Sequence, residues 1–271
     1  MANDPSARRP LTLPDFKARK ESGDKIVVVT AYDASFAAAS DAAGVDIVLV
    51  GDSLGMVVQG HASTLPVSVD EMVYHTAAVA RGLKNAWLIA DMPFMSARDP
   101  ATAMQNAARL MDEGDATIVK LEGADWACEV IHALAERDIP VCAHLGLTPQ
   151  SVYKLGGYKV QGRDNAVADR LKAQAREVQD AGADLLVLEC VPAALAAEIT
   201  HELRIPTIGI GAGVDCDGQV LVMYDLLGLT PGKRPRFTKD FLKGHDSIVA
   251  AIAAFANAVR AREFPAAEHS Y

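Results

Sequence analysis

Ile47-Val48-Leu49-Val50-Gly51-Asp52 carries the pattern that decides the fold. Four consecutive apolar residues suit a strand buried on both faces. The run stops at a glycine, and the next residue is an acid. A carboxylate at the end of a buried strand is costly unless it pairs with a cation or stays wet. The same event recurs downstream. Leu88-Ile89-Ala90 runs into Asp91, Thr117-Ile118-Val119 into Lys120-Leu121-Glu122, and Leu185-Leu186-Val187-Leu188 into Glu189. If these strands are parallel neighbours, all four acids lie at one end of one sheet.

Outward from this stretch, strands and helices alternate. A leading helix is expected over 11–20, with Thr12 as N-cap and Pro14 in its first turn. Strands are expected at 26–30, 47–50, 88–90, 117–121, 140–144, 185–188, 206–210 and 220–222. Helices are expected between them at 34–43, 70–83 (begun by Ser68), 101–111, 126–136, 166–181 and 193–203. Ile248, Ile252, Phe255 and Val259 mark one face of a terminal helix. The polar, glycine-bearing loop over 146–165 is long enough to suggest a functional role. Strict alternation argues for parallel strands with helical crossovers. The chain has 271 residues, and about 250 is usual for an eightfold β/α barrel, whose active site lies at the strands' C-terminal ends. The expected fold is therefore a single-domain (β/α)8 TIM barrel over 11–264, with a flexible start at 1–10 and a tail at 265–271. A doubly wound open sheet is the competing architecture.

Half of the residues are hydrophobic, enough for a large core, and the net charge is -9. An acidic surface argues against nucleic acid and anionic membrane as partners. It does not exclude an anionic substrate, because a metal or a lysine can make the site locally positive. Cys128, Cys142, Cys190 and Cys216 show no CxxC spacing and read as isolated buried thiols in a reducing compartment. Arg8 and Arg9 are not followed by an apolar signal-like region, and no run approaches membrane-spanning length. A soluble, cytoplasmic protein is expected.

Side chains two apart on a strand point the same way, so Lys120 and Glu122 share a face. Asp52, Asp91 and Glu122 form an all-oxygen set from three successive strands, which favours Mg²⁺ or Mn²⁺ over zinc. The alternative is that these acids cap the following helices or pair with nearby bases. His144 reads as a donor to a substrate oxygen, or as a satisfied core histidine. Cys142 beside it does not make a zinc site without a second histidine or cysteine at useful spacing. Gly209-Ile210-Gly211-Ala212-Gly213 suggests a phosphate-cradling loop, but Val214 stands where GxGxxG needs its third glycine. A tight turn, or a loop that lets a ligand approach closely, is the better account of it. Lys233, Arg234 and Arg236 read as a solvated or subunit-facing basic cluster.

Longer motifs stand in one order: GDSLGMVVQGHASTLPV at 51–67, DMPFM at 91–95, KLEG at 120–123, AHLGLTPQSV at 143–152, ECVP at 189–192 and IGIGAG at 208–213. Together they closely resemble the ketopantoate hydroxymethyltransferase family, from about Leu11 to Phe264. One departure is Ala124, where a second glycine is expected after Gly123. The resemblance implies a Mg²⁺-dependent barrel in pantothenate and coenzyme A biosynthesis. It implies transfer of a hydroxymethyl group from 5,10-methylenetetrahydrofolate to 3-methyl-2-oxobutanoate, giving 2-dehydropantoate through a Mg²⁺-stabilised enolate. By motif, Asp52 and Asp91 would bind the metal and Glu122 would complete or support its site, directly or through water. Ser53, Lys120 and His144 would hold the keto acid together with Asp52 and Asp91, and Glu189 would be the base. The resemblance also implies a homo-oligomer, a decamer of two stacked pentamers. The length of the loop at 146–165, rather than the resemblance, suggests that it covers or opens the folate side.

Two rivals remain. A Mg²⁺-dependent lyase or mutase of the isocitrate lyase or phosphoenolpyruvate mutase type would use the same enolate chemistry without folate. It generally needs a loop cysteine in a KKCGH-like stretch, which is absent here. A non-catalytic barrel binding a phosphorylated ligand at Gly209–Gly213 would have no use for two metal carboxylates and a base.

Overall fold

The structure, a computed structural model, describes residues 9–230, 232 and 234–271. The expectations for Lys233 and for most of 1–10 lie outside the described residues.

Eight strands close into a parallel barrel in sequence order, β1 pairing with both β2 and β8. They are β1 (Ile26–Thr30), β2 (Ile47–Val50), β3 (Trp87–Asp91), β4 (Ile118–Glu122), β5 (Val141–Gly146), β6 (Leu185–Glu189), β7 (Thr207–Ile210) and β8 (Gly218–Leu221). The helices are α1 (Leu13–Ser22), α2 (Ala34–Ala42), α3 (Leu54–Val57), α4 (Val69–Ala80), α5 (Pro100–Asp112), α6 (Asp125–Ala135), α7 (Val152–Leu155), α8 (Asn165–Asp180), α9 (Ala193–Glu202), α10 (Met223–Leu226) and α11 (Ile248–Arg260). The barrel is thus the expected one, and the open sheet is excluded.

Local chemistry sets the helix starts. Asp33, Ser68, Asp99, Asp164 and Ser247 each stand at an N-cap and accept from backbone N–H groups of the first turn, which satisfies donors a helix start leaves open. Strand residues such as Val27, Val48, Ile118, Val141 and Leu186 are fully buried between the barrel interior and the helical ring. Of the four residues expected on one face of α11, Ile252, Phe255 and Val259 are buried. Ile248, in the first turn, is partly exposed.

β8 starts earlier than expected. Gly218 and Gln219 pair with β1 and β7, although neither looks like a strand residue. A Cβ on Gly218 would lie 2.4 Å from the Ile26 carbonyl oxygen. Gln219 is buried because its amide donates to the Gly213 carbonyl. The 146–165 stretch is also not plain loop: it holds a 3-10 turn at Pro149–Ser151 and then α7.

At the N-terminal pole, α1 lies across the strand starts. Phe16 is buried edge-to-face on Trp87, and Lys20 pairs with Asp217 at 2.8 Å. Asp46, just before β2, receives Arg19 from α1 at 2.9 Å, Arg260 from α11 at 3.2 Å and the Val27 N–H. This pole is held by charge and packing and is far from the acids named above.

Candidate active site

The four acids do share one end of the barrel. Asp52, Asp91, Lys120, Glu122, His144 and Glu189 all line a single cavity of about 640 Å³ at the strands' C-terminal mouth. Parallel register brings them together: Asp91 pairs with Lys120, Glu122 with His144, and Gly146 with Glu189. Lys120 and Glu122 face the cavity together, as their spacing of two requires. All but Glu189 are buried, and Glu189 keeps a 14% exposed side chain.

Gly51 lets the β2 end turn into this cluster. A Cβ there would lie 2.7 Å from Ser53 Oγ and 3.4 Å from Asp91 Oδ2. The turn aims the Asp52 N–H at Asp91 Oδ2, at 3.1 Å. Ser53 Oγ lies 2.8 Å from the Tyr32 hydroxyl. Lys120 donates to Asp91 Oδ1 at 2.7 Å, with both side chains about 5% exposed.

The charges do not balance. Burial raises the Asp52 carboxyl well above the ordinary range, and repulsion from Asp91 and Glu122 adds to it. Lys120 and a hydrogen bond from Gln150 only partly offset this. Burial opposes the charge on Lys120, but the three surrounding carboxylates outweigh it and raise its pKa. His144 is similar: burial and Lys120 oppose its protonation, yet Glu122 and Glu189 push it up to about 9. Its ring nitrogens lie 3.6 Å from Glu122 and 3.3 Å from Glu189 without a formed hydrogen bond.

A buried all-oxygen cluster with surplus negative charge fits a hard divalent cation. Among the described residues no three His, Cys, Asp or Glu side chains form a ready-made metal cluster. The expected three-carboxylate set is therefore not converged, because Glu122 accepts the Gln150 N–H at 2.9 Å and lies beside His144. Asp52 and Asp91 remain as the adjacent pair. One or two carboxylates, with water and substrate oxygens completing the shell, are the usual Mg²⁺ arrangement.

Zinc finds no support in the thiols. Cys142 is fully buried and its thiol is pushed up to about 12 by burial, so it stays neutral. Cys190 and Cys216 are buried free thiols as expected, but Cys128 is only half-buried. The glycines in and after β7 serve packing: a Cβ on Gly213 would lie 2.6 Å from Ala193 Cβ, and one on Gly209 would lie 3.0 Å from Cys216 Sγ.

Some residues in and around the cavity escaped the sequence reading. Gln150 donates to Asp52 Oδ2, and Tyr158, Phe237 and Tyr271 line the outer cavity. Arg234 and Arg236 are exposed, as expected of a solvated loop, but they also line the mouth. The tail carrying Tyr271 is pinned by the Ala193 N–H on its carbonyl, at 2.8 Å. The AHLGLTPQSV motif was the one signal that pointed near Gln150.

A closed parallel barrel with acids, a lysine and a histidine gathered at its C-terminal mouth defines a β/α-barrel enzyme. More narrowly, the chain belongs to the ketopantoate hydroxymethyltransferase family, whose sequence model matches residues 10–267. Similar curated proteins are the 3-methyl-2-oxobutanoate hydroxymethyltransferases of Xylella fastidiosa, 59% identical over 97% of each chain, and of Marinobacter nauticus, 58% identical over 96% of this chain and 98% of that one. A Burkholderia cenocepacia protein of this name, numbered 1, is 56% identical over 98% of each chain. Among solved structures, phosphoenolpyruvate phosphomutase from Streptomyces platensis subsp. rosaceus matches with TM-score 0.60 and 14% identity, covering 80% of this chain and 83% of that one. A phosphonopyruvate hydrolase complex with oxalate and Mg²⁺ matches with TM-score 0.58 and 15% identity, over 96% and 93% of the two chains. These two likenesses concern the fold. Among the described residues no helix is long and apolar enough to cross a membrane.

Proposed function

We propose that this chain transfers a hydroxymethyl group from 5,10-methylenetetrahydrofolate to C3 of 3-methyl-2-oxobutanoate, giving ketopantoate. The observation that carries this reading is the single buried mouth that joins Asp52, Asp91, Lys120, Glu122, His144 and Glu189, in a chain whose relatives are named for that activity.

Asp52 and Asp91 would hold Mg²⁺, with Glu122 supporting the site through water. When bound, the ion would draw charge from the keto carbonyl and favour loss of the C3 proton. Lys120 supplies a fixed positive charge where the substrate carboxylate or the developing enolate lies. The Ser53 hydroxyl, oriented by Tyr32, donates to a substrate oxygen. His144 has two ring nitrogens without hydrogen-bond partners, and an N–H there suits a second substrate oxygen. Glu189 takes the C3 proton. Its side chain is 14% exposed and lines the same cavity as Lys120 and His144. The carbon nucleophile then takes up the folate's one-carbon unit: a C–C bond forms, the carbon–nitrogen bonds to the folate break, water supplies the hydroxyl oxygen and tetrahydrofolate leaves.

The cavity supports a second ligand. At about 640 Å³ it exceeds the needs of a five-carbon keto acid, and its outer wall of Met56, Tyr158, Phe237 and Tyr271 suits a flat aromatic body. The homo-oligomeric, decameric state implied by the resemblance belongs to the same reading, and light scattering tests it.

The functional test is deuterium exchange at C3 of 3-methyl-2-oxobutanoate, followed by NMR without folate, with and without Mg²⁺. Mg²⁺-dependent exchange is the expected result. No exchange by folded protein, with Mg²⁺ and even with tetrahydrofolate added, would refute the enolisation step and favour a lyase or mutase on the same fold.

A further inference from the structure

Gln150 sits where the chain leaves β5 and crosses the barrel mouth. Gly146, at φ +91°, makes the turn possible, since a Cβ there would lie 2.3 Å from the Glu189 carbonyl oxygen. The chain then runs back over the ends of earlier strands. The Gln150 backbone N–H donates to Glu122 Oε2 at 2.9 Å, at the end of β4. Its side-chain amide donates to Asp52 Oδ2 at 2.8 Å, beyond β2, and to the Met92 carbonyl at 3.1 Å, just after β3. Both amide protons are therefore used, and three strand ends are joined by one residue. Gln150 lines a neighbouring pocket of about 300 Å³, and Glu122 lines both that pocket and the main cavity.

The far end of the same segment is fastened to the same place. The Tyr158 hydroxyl contacts Met56 Sδ at 3.3 Å, on α3, the helix that follows Asp52. Segment 149–158 is thus anchored twice on the β2–α3 connection.

We propose that Gln150 is a positioning residue that couples this segment to the divalent-cation site. It holds Asp52 in its ligand orientation, fixes Glu122 beside it through the backbone N–H, and adds no charge to a cluster that is already too negative. The inference rests on reading Asp52 and Asp91 as the cation carboxylates. Binding is reciprocal: if the docked segment raises cation affinity, the cation must favour the docked segment by the same factor.

Two measurements test this without using turnover. The first is Mn²⁺ binding, followed by electron paramagnetic resonance of the free ion with no keto acid present. It compares wild type with Gln150→Met and Gln150→Ala. The methionine variant keeps the side-chain length and the backbone N–H to Glu122 but loses both amide donors. Loss of such an orienting partner weakens metal binding by about 10–100-fold, and that weakening is expected in both variants. The second is trypsin cleavage at the exposed Lys154 and Lys159, with and without Mg²⁺. Mg²⁺ should slow cleavage of the wild type by a factor similar to the affinity change, and should not protect Gln150→Met. Variants with circular dichroism like wild type and a Mn²⁺ affinity within twofold of it would overturn the positioning role. Equal cleavage of the wild type with and without Mg²⁺ would overturn the coupling. If the wild type itself binds no Mn²⁺, the cation-site reading fails along with this inference.

Discussion

Lys120→Met is the most informative perturbation of the mouth. The Lys120 ammonium interacts with Asp52, Asp91 and Glu122, and its bond to Asp91 is buried on both sides. Breaking such a pair from one side costs about 3–5 kcal/mol, because the other charge is left buried and unpaired. A second route gives a similar size. The stranded cluster can relieve itself by protonating one carboxylate. Holding an aspartate of ordinary pKa neutral at pH 7 costs about 4 kcal/mol. With an unfolding entropy of about 2.1 cal/mol/K per residue, 271 residues turn about 3–5 kcal/mol into a fall in Tm of about 5–9 °C. The sign with pH follows. In the variant the folded carboxylate pKa lies further above its unfolded value, so the native state holds extra protons and stability falls as pH rises through that window. The deficit should therefore shrink at pH 5. The assay is thermal unfolding by circular dichroism in EDTA at pH 5 and pH 7. Equal Tm values at pH 7, or a deficit of the same size at both pH values, would refute the charge-compensation argument.

Glu189→Gln should abolish C3 exchange of 3-methyl-2-oxobutanoate while leaving Mn²⁺ binding within about twofold of wild type (a difference of less than about 0.5 kcal/mol); continued exchange would require another base. His144, pushed up to about 9, contributes stability that is full below its unfolded pKa of about 6.5 and is lost as pH rises through about 9. In cation-free buffer, His144→Gln should flatten the stability profile over that range, and parallel profiles would remove the role of the two carboxylates. Cys142→Ala should cost about 1 kcal/mol for one small buried group and little activity. A large loss of activity with an intact fold would restore a chemical role for the thiol.

The sequence made the barrel and its acids readable for the same reason. A buried parallel strand is an uninterrupted apolar run, so the residue that breaks it marks the mouth. That logic found Asp52, Asp91, Glu122 and Glu189, and the spacing of two placed Lys120 beside Glu122. It failed at β8, where Gly218 and Gln219 are strand residues chosen for a close backbone approach and a buried amide bond. It also missed Gln150, Tyr158 and Tyr271. These act from connections and from the tail, where no periodicity links a residue to what it touches. Arg234 and Arg236 read as surface residues because charge in a loop says nothing about which opening it borders.

Asp46 joins α1 and α11 at the pole opposite the mouth, through Arg19 and Arg260. The first and last long helices are therefore clasped beneath the barrel, and their hold does not pass through any loop that bears on the cavity. In engineering terms the molecule has a fixed base and a replaceable rim. Libraries built on the exposed rim positions 94, 98, 153, 154, 159, 234 and 236 should preserve the fold in most members, whereas randomising 19, 46 and 260 should empty a library before any new chemistry can be selected.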